Sequence, residues 1–178
     1  MKSIVVLIAC LIIISISHAQ EFRAVGKGYE YGFSEIGGWI GIGQDIENFP
    51  QADMVFYAAE RNGEEITIRH LDTDIYMFTN VTSGTVDAFW KQLETRYGKG
   101  NPNLKIERAK DIEIFPGIEA KIIHFINITD ENKAQAIASI PYKGRIVSLV
   151  MQANSENLLK EHLLEFAQLL RTYKASMK

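Results

Sequence analysis

Along Ile118-Glu-Ala120-Lys-Ile122-Ile-His124-Phe-Ile126-Asn-Ile128 every even position is apolar except His124. A repeat of two over that length predicts a β-strand with one buried face. Ala134-Gln-Ala136-Ile-Ala138-Ser-Ile140 alternates in the same way. Arg145-Ile-Val147-Ser-Leu149-Val-Met151 is apolar on both faces towards its middle, which predicts a strand deep in a sheet. Pro141 to Gly144 makes the turn between the last two. Short loops join antiparallel neighbours, so the three strands predict a meander, not parallel crossovers. The period then changes. Leu159, Leu163, Phe166, Leu170 and Tyr173 form a helical stripe, widened by Leu158 and Leu169. Ser155 caps it, Glu156 follows, and Arg171, Lys174 and Lys178 suit its C-terminal end. One helix from Ser155 to about Tyr173 is predicted.

The first half reads less evenly. Glu21 to Lys27 is a lead-in, Tyr29 to Phe33 a strand of alternating aromatics, and Gly37-Gly38 a turn before a short extended piece, Trp39 to Ile42. The glycines from Gly37 to Gly43 do not make a phosphate loop, because no Lys-Ser/Thr follows and no helix opens there. They read as room for close backbone approach around a buried Trp39. Asp45 to Gln51 is a loop, and Met54 to Ala58 is a strand. Asn62-Gly63 is a strong hairpin signal leading into a partner strand, Glu65 to Leu71. Asp72 to Gly84 reads as a long connection with room for one helical turn. Thr85 caps a helix with Asp87 in its first turn. Its stripe is Val86, Phe89, Trp90, Leu93 and Tyr97, and Gly98, Gly100 and Pro102 end it. Two short alternating runs follow, Leu104 to Glu107 and Asp111 to Phe115, with Pro116-Gly117 as the turn into the meander.

No internal repeat, linker or low-complexity run interrupts this order. The prediction is an α+β domain, an antiparallel sheet of about six or seven strands with a one-sided helix on each flank.

The chain has 178 residues, 47% of them hydrophobic, enough for a core of its own. Its start carries an address. Met1-Lys2-Ser3, an unbroken apolar run from Ile4 to Ile14, and Ser17-His18-Ala19 make a secretory signal peptide cut after Ala19. The apolar run is short of the roughly 20 residues that a membrane span needs. Leu7-Ile-Ala-Cys10 also looks like a lipoprotein box, but lipidation at Cys10 would cut the apolar core in half. Residues 20–178 then form one mature domain, secreted or periplasmic. Cys10 is the chain's one cysteine, so that domain has no disulfide and no thiolate. Losing Lys2 leaves 18 basic against 22 acidic residues, a balance that excludes a phosphate-backbone binder. Asn80-Val-Thr82 and Asn127-Ile-Thr129 match the glycosylation acceptor pattern, which matters in a eukaryotic secretory pathway.

Candidate chemistry is sparse. His124 falls on the apolar face of its strand and reads as a hydrogen-bonded core histidine. His162 lies at the edge of the last helix's stripe. His70-Leu-Asp72-Thr-Asp74 is the one cluster that hints at a cation, yet it lacks the further oxygen ligands and the glycine of a calcium loop, and reads as a solvated loop. No Gly-x-Ser-x-Gly elbow is present. No catalytic, cofactor-binding or metal-binding set is assigned.

The order of elements resembles the PsbP-like fold family, which includes bacterial DcrB-like secreted proteins. The resemblance rests on the aromatic strand Tyr29 to Phe33 before Gly38-Trp39, and on the hairpin at Asn62-Gly63. The helix from Thr85, the strand opening Gly117-Ile-Glu-Ala-Lys, and the strand-to-helix finish from Ile146 to Tyr173 complete it. A sheet between helices and a non-enzymatic accessory or adaptor role are what it implies. The expected partner is another envelope or secreted protein. The alternative is a small apolar ligand or lipid held between sheet and helix.

Overall fold

The computed structural model describes residues 20–26, 28–42, 49–62, 65–68, 74–128 and 133–175. The predicted meander is its spine. Strands β9 (Ile118–Ile126), β10 (Ala134–Tyr142) and β11 (Arg145–Ala153) pair antiparallel, with Ala134 opposite both Ile126 and Ala153. The hairpin between β10 and β11 closes on Lys143-Gly144, both at positive φ (48° and 75°), the two-residue turn whose twist suits a hairpin.

The first half supplies β1 (Glu21–Gly26), β2 (Tyr29–Ser34), β3 (Trp39–Gly41), β4 (Met54–Asn62), β5 (Glu65–Ile68) and β6 (Ile75–Ser83). Helix α1 (Val86–Gly98) then precedes β7 (Lys105–Arg108) and β8 (Ile112–Phe115). The chain ends with α2 (Glu156–Glu161), α3 (Leu163–Arg171) and β12 (Lys174–Ala175). The main sheet runs β3-β4-β6-β11-β10-β9-β7, seven strands in line and antiparallel throughout, with β5 added to β4 and β8 added to β9. The fold is α+β, as the pattern predicts. The hairpin at Asn62 forms too, with Asn62 opposite Glu65.

Three expectations fail. The stretch read as a long connection, Asp72 to Gly84, holds β6, a nine-residue strand between β4 and β11. Both of its faces are covered at Ile75, Tyr76 and Met77, so the period-two signal vanishes there. The lead-in is also a strand. β1 pairs with β2, and β12 with the other edge of β2, in a separate three-stranded sheet. The last helix is two helices, broken at His162 (φ −104°, ψ 10°). No glycine or proline marks that break.

Register divides the core into two faces. On one, Phe56, Met77, Ala138, Leu149 and Met151 lie under α2, α3 and the small sheet, which contribute Leu159, Phe166, Leu170, Tyr31 and Phe33. On the other, Ile123, Phe125, Ile137, Ile146 and Val150 lie under α1, which contributes Val86, Trp90 and Leu93. Each such fully buried aliphatic or aromatic side chain stabilises the fold by about 1.5–3 kcal/mol relative to exposure. The small sheet docks closely. A Cβ on Gly41 would meet the Phe22 ring at 2.6 Å, so the glycine here is the close approach that the sequence suggests around Trp39, which is 2% exposed.

Candidate functional site

The face under α1 is laid out in cross-strand rows. Tyr76 sits opposite Gln152, and Gln152 opposite Gln135. The next row is Phe78, Val150, Ile137 and Ile123. The row after that is polar: Asn80, Ser148 and Ser139. Helix α1 crosses one end of these rows. Thr85 caps it, accepting a hydrogen bond from the Ala88 amide, as the sequence predicts. Two of its side chains reach through to polar atoms of the sheet. The Trp90 indole Nε1 donates to Ser139 Oγ (3.0 Å), and the Tyr97 hydroxyl donates to Gln135 Oε1 (2.9 Å). Gln135 Nε2 in turn donates to Gln152 Oε1 (2.6 Å). Burial pushes the Tyr97 ionisation up, with the Arg96 guanidinium opposing it.

The other end of the same face is covered by Phe49. Its ring packs on Tyr76 (4.7 Å between centroids), Phe78 and Tyr57, with Ala52 and Val55 beneath. The Phe49–Ala52 segment and α1 flank the same part of the sheet. Between them runs a groove of about 470 Å³. Its floor is Phe78, Asn80 and Thr82 of β6, Gln135 and Ile137 of β10, and Val150 of β11. Its α1 wall is Phe89, Gln92, Leu93, Arg96 and Tyr97. The stripe predicted for this helix is therefore split. Val86, Trp90 and Leu93 are buried, while Phe89 and Tyr97 are half-buried on the groove side. At the floor, Asn80 Oδ1 is buried with no hydrogen-bond partner among the described residues, and so is Ser148 Oγ beside it in the same row. Among the described residues, Arg96 is the one formally charged residue lining the groove, and it makes no ion pair with another of them.

A second, more open groove of about 700 Å³ lies between α3 and β8–β9. His124 lines it with Leu163, Phe166 and Arg171. This corrects the core-histidine reading: the ring is half-buried at a groove wall, with no hydrogen-bond partner among the described residues. Burial lowers its pKa, Lys160 adds to that, and Glu107 opposes it. His162 stands at the α2–α3 break, edge-on to the Trp39 ring (5.9 Å), with Nδ1 3.7 Å from Glu165 Oε1.

His70 and Asp72 lie outside the described residues. Asp74 is engaged at the sheet's end, where its Oδ1 accepts from Asn154 Nδ2 (2.7 Å). Among the described residues no three His, Cys, Asp or Glu side chains come together as metal ligands. Of the two acceptor asparagines, Asn80 points its amide into the groove floor, and Asn127 donates to the Asn103 carbonyl (3.2 Å).

The sequence reading offered a site between sheet and helix but not this floor, because it missed β6, which carries half of it. A signal was present: Ile75-Tyr-Met-Phe is aromatic and aliphatic without interruption, as a strand covered on both faces should be.

No protein-family model and no curated protein sequence matches the chain. Solved structures do. The cyanobacterial PsbP (CyanoP) of Synechocystis sp. PCC 6803 superposes over 91% of this chain and 96% of its own, with a TM-score of 0.54 and 12% identity. The chain has a PsbP-like fold. The Ran-binding protein Mog1p of Saccharomyces cerevisiae superposes over 88% of this chain and 94% of its own, with a TM-score of 0.51 and 12% identity. The PsbP-like likeness thus spans the sheet, α1 and the closing helices together. No described helix is long and apolar enough to cross a membrane.

Proposed function

We propose that the chain is an exported, non-enzymatic accessory protein that binds another protein through the groove between α1 and Phe49–Ala52. The groove carries the reading. Its floor is three central strands of the main sheet, so it is held rigid, and it is lined by rings, amides and one guanidinium. Those groups recognise a surface rather than transform a substrate. The PsbP-like fold supports the same view at one remove, since Mog1p, which shares it, is a Ran-binding protein. Kinship with DcrB-like secreted proteins belongs to this reading.

Export belongs to it as well. Strand β1 begins at Glu21, so a cut after Ala19 would spare every described element. The intact mass of the mature protein tests this. A chain starting at Gln20 is expected, and a diacylated Cys10 would contradict it.

The test of the binding role is site-specific photo-crosslinking in the native host. A photoreactive residue at Gln92, on the groove wall, should give one discrete adduct. The same residue at Val25, 76% exposed on β1 of the small sheet, should not. Identical adducts from both positions, or none from Gln92, would refute it. A small-ligand reading has one observation in its favour: the groove volume falls in the range of about 300–1,000 Å³ typical of ligand pockets. A metabolite or lipid retained in the native mass spectrum would favour it instead.

A further inference from the structure

The main sheet ends on β7, with no described strand beyond it. β3, at the opposite end, is three residues long and buried throughout. β7 differs: Lys105, Ile106, Glu107 and Arg108 are all exposed, and Ile106 is a large apolar side chain left 40% open to solvent. The Ala109 amide donates to the Ile122 carbonyl (3.1 Å), which continues the register of β7 against β9. Backbone groups alternate sides along an antiparallel strand. Lys105 and Glu107 therefore bond to β9, while Ile106 and Arg108 turn their N–H and C=O outward. Past Arg108 the edge takes one residue more than β9 before Ile112 meets Ala120, a bulge that ends the regular stretch. An open row of backbone groups like this is a template for another strand.

The charges select which strand. Lys105 and Glu107 lie on the α2–α3 face, opposite Ile126 and His124, and neither forms an ion pair within its own chain among the described residues. Arg108 is held on the α1 face, over the Trp90 ring (5.1 Å) and 3.9 Å from Glu94. A copy of β7 brought up antiparallel by a two-fold axis must set outward-facing residues against each other, so within the strand the axis passes at Ile106 or at Arg108. At Arg108 two guanidinium groups would face each other. At Ile106, Lys105 of each copy faces Glu107 of the other, Ile106 faces Ile106, and Arg108 faces Leu104. Opposite charges in facing pairs favour that register, and like charges disfavour the other. We infer that two copies of this chain pair antiparallel through β7 on a two-fold axis at Ile106, so that their main sheets run on as one. Both copies use the same edge, so the pairing closes as a dimer and does not propagate. A four-residue strand buries less than the roughly 1,200 Å² of a stable interface, so the association is weak and depends on concentration. No β7 residue lines the α1 groove, and this pairing stands or falls apart from the binding role proposed above.

Sedimentation of the mature chain from about 10 μM to about 1 mM tests the pairing, with a charge exchange to test its register. The unaltered protein should pass from monomer to dimer across that range. Lys105→Glu and Glu107→Lys, each alone, set like charges opposite each other twice and should weaken the dimer about tenfold. The two substitutions together restore opposite charges and should restore the dimer. Ile106→Cys supplies the one thiol of the mature chain, and facing Cα atoms about 5.5 Å apart suit a disulfide, so mild oxidation should link the copies. All these positions are exposed, so the fold is spared. A chain that stays monomeric at about 1 mM and does not cross-link through Ile106→Cys would overturn the inference. So would a dimer that either single charge reversal leaves intact, or one that the double exchange fails to recover.

Discussion

Trp90 is 3% exposed and packs in the cluster with Ile123, Ile137, Ile146 and Val150, yet its indole N–H finds the buried hydroxyl of Ser139. One side chain thus supplies both the apolar area and the polar satisfaction that seat α1 on the sheet. Trp90→Phe keeps the first and removes the second, leaving Ser139 Oγ buried without its donor. The expected loss is about 1–3 kcal/mol in urea unfolding, including the smaller ring. His124 titrates in the folded state below its ordinary value, because burial disfavours the imidazolium and Lys160 repels it, more than Glu107 attracts it. Its neutral form therefore stabilises the fold. That contribution is complete above the unfolded histidine pKa of about 6.5 and falls away as the pH drops through the lowered folded value. Replacing His124 with Gln should flatten the part of the stability profile just below about pH 6.5. An unchanged slope in that window would show that the ring is not desolvated as described. His124 was visible in the sequence as an outlier in an apolar register, but the groove beside it was not, because α3 arrives from a distant part of the chain.

At the scale of elements, the legible ones show an alternation, an unbroken apolar run or a cap, even where both faces are buried as in β10 and β11. The meander, the hairpin at Asn62 and α1 all show a clear period, and Thr85 caps α1 with its own hydroxyl. β6 was missed because its apolar run is short and polar residues break it. Ile75 and Met77 lie under the α2–α3 face and Tyr76 under Phe49, while Thr79 and Asn80 interrupt the run with buried polar groups. Polar residues inside a central strand look like a loop until their cross-strand partners are known. The strand's place in the core is testable. Met77 is fully buried, so Met77→Ala should cost about 2–5 kcal/mol, whereas Ile66→Ala on β5, 41% exposed, should cost far less. Comparable small losses from both would return the stretch to the connection first read from it. The break at His162 also escapes the sequence, since Leu159 and Phe166 keep their places on the stripe on either side of it.

At the scale of the whole molecule, the small sheet and the main sheet meet at Tyr31. Its hydroxyl donates to Asp53 Oδ2 (2.7 Å) and makes a second hydrogen bond with Thr79 Oγ1 (2.9 Å), tying the small sheet to β6 and the start of β4. Burial drives its ionisation far above the usual tyrosine range, so the hydroxyl remains a donor throughout ordinary pH. Tyr31→Phe leaves Asp53 short of a partner at the seam, and a loss of about 1–3 kcal/mol is expected by chemical denaturation. The small sheet was illegible because β12 is two residues long and pairs with β2 across most of the chain. That sheet occupies the α2–α3 face, and it leaves the other to α1 and the Phe49–Ala52 segment. A single short helix cannot cover all of a seven-strand face, and the uncovered strip is the groove. The most direct measurement is amide chemical-shift mapping of the isotope-labelled mature chain titrated with its crosslinked partner. The account predicts that the largest shifts fall on Phe78–Thr82, Gln135–Ile137 and the Phe89–Tyr97 side of α1, with β1 and β5 unmoved. Shifts concentrated on the α2–α3 groove around His124, or on the small sheet, would contradict it.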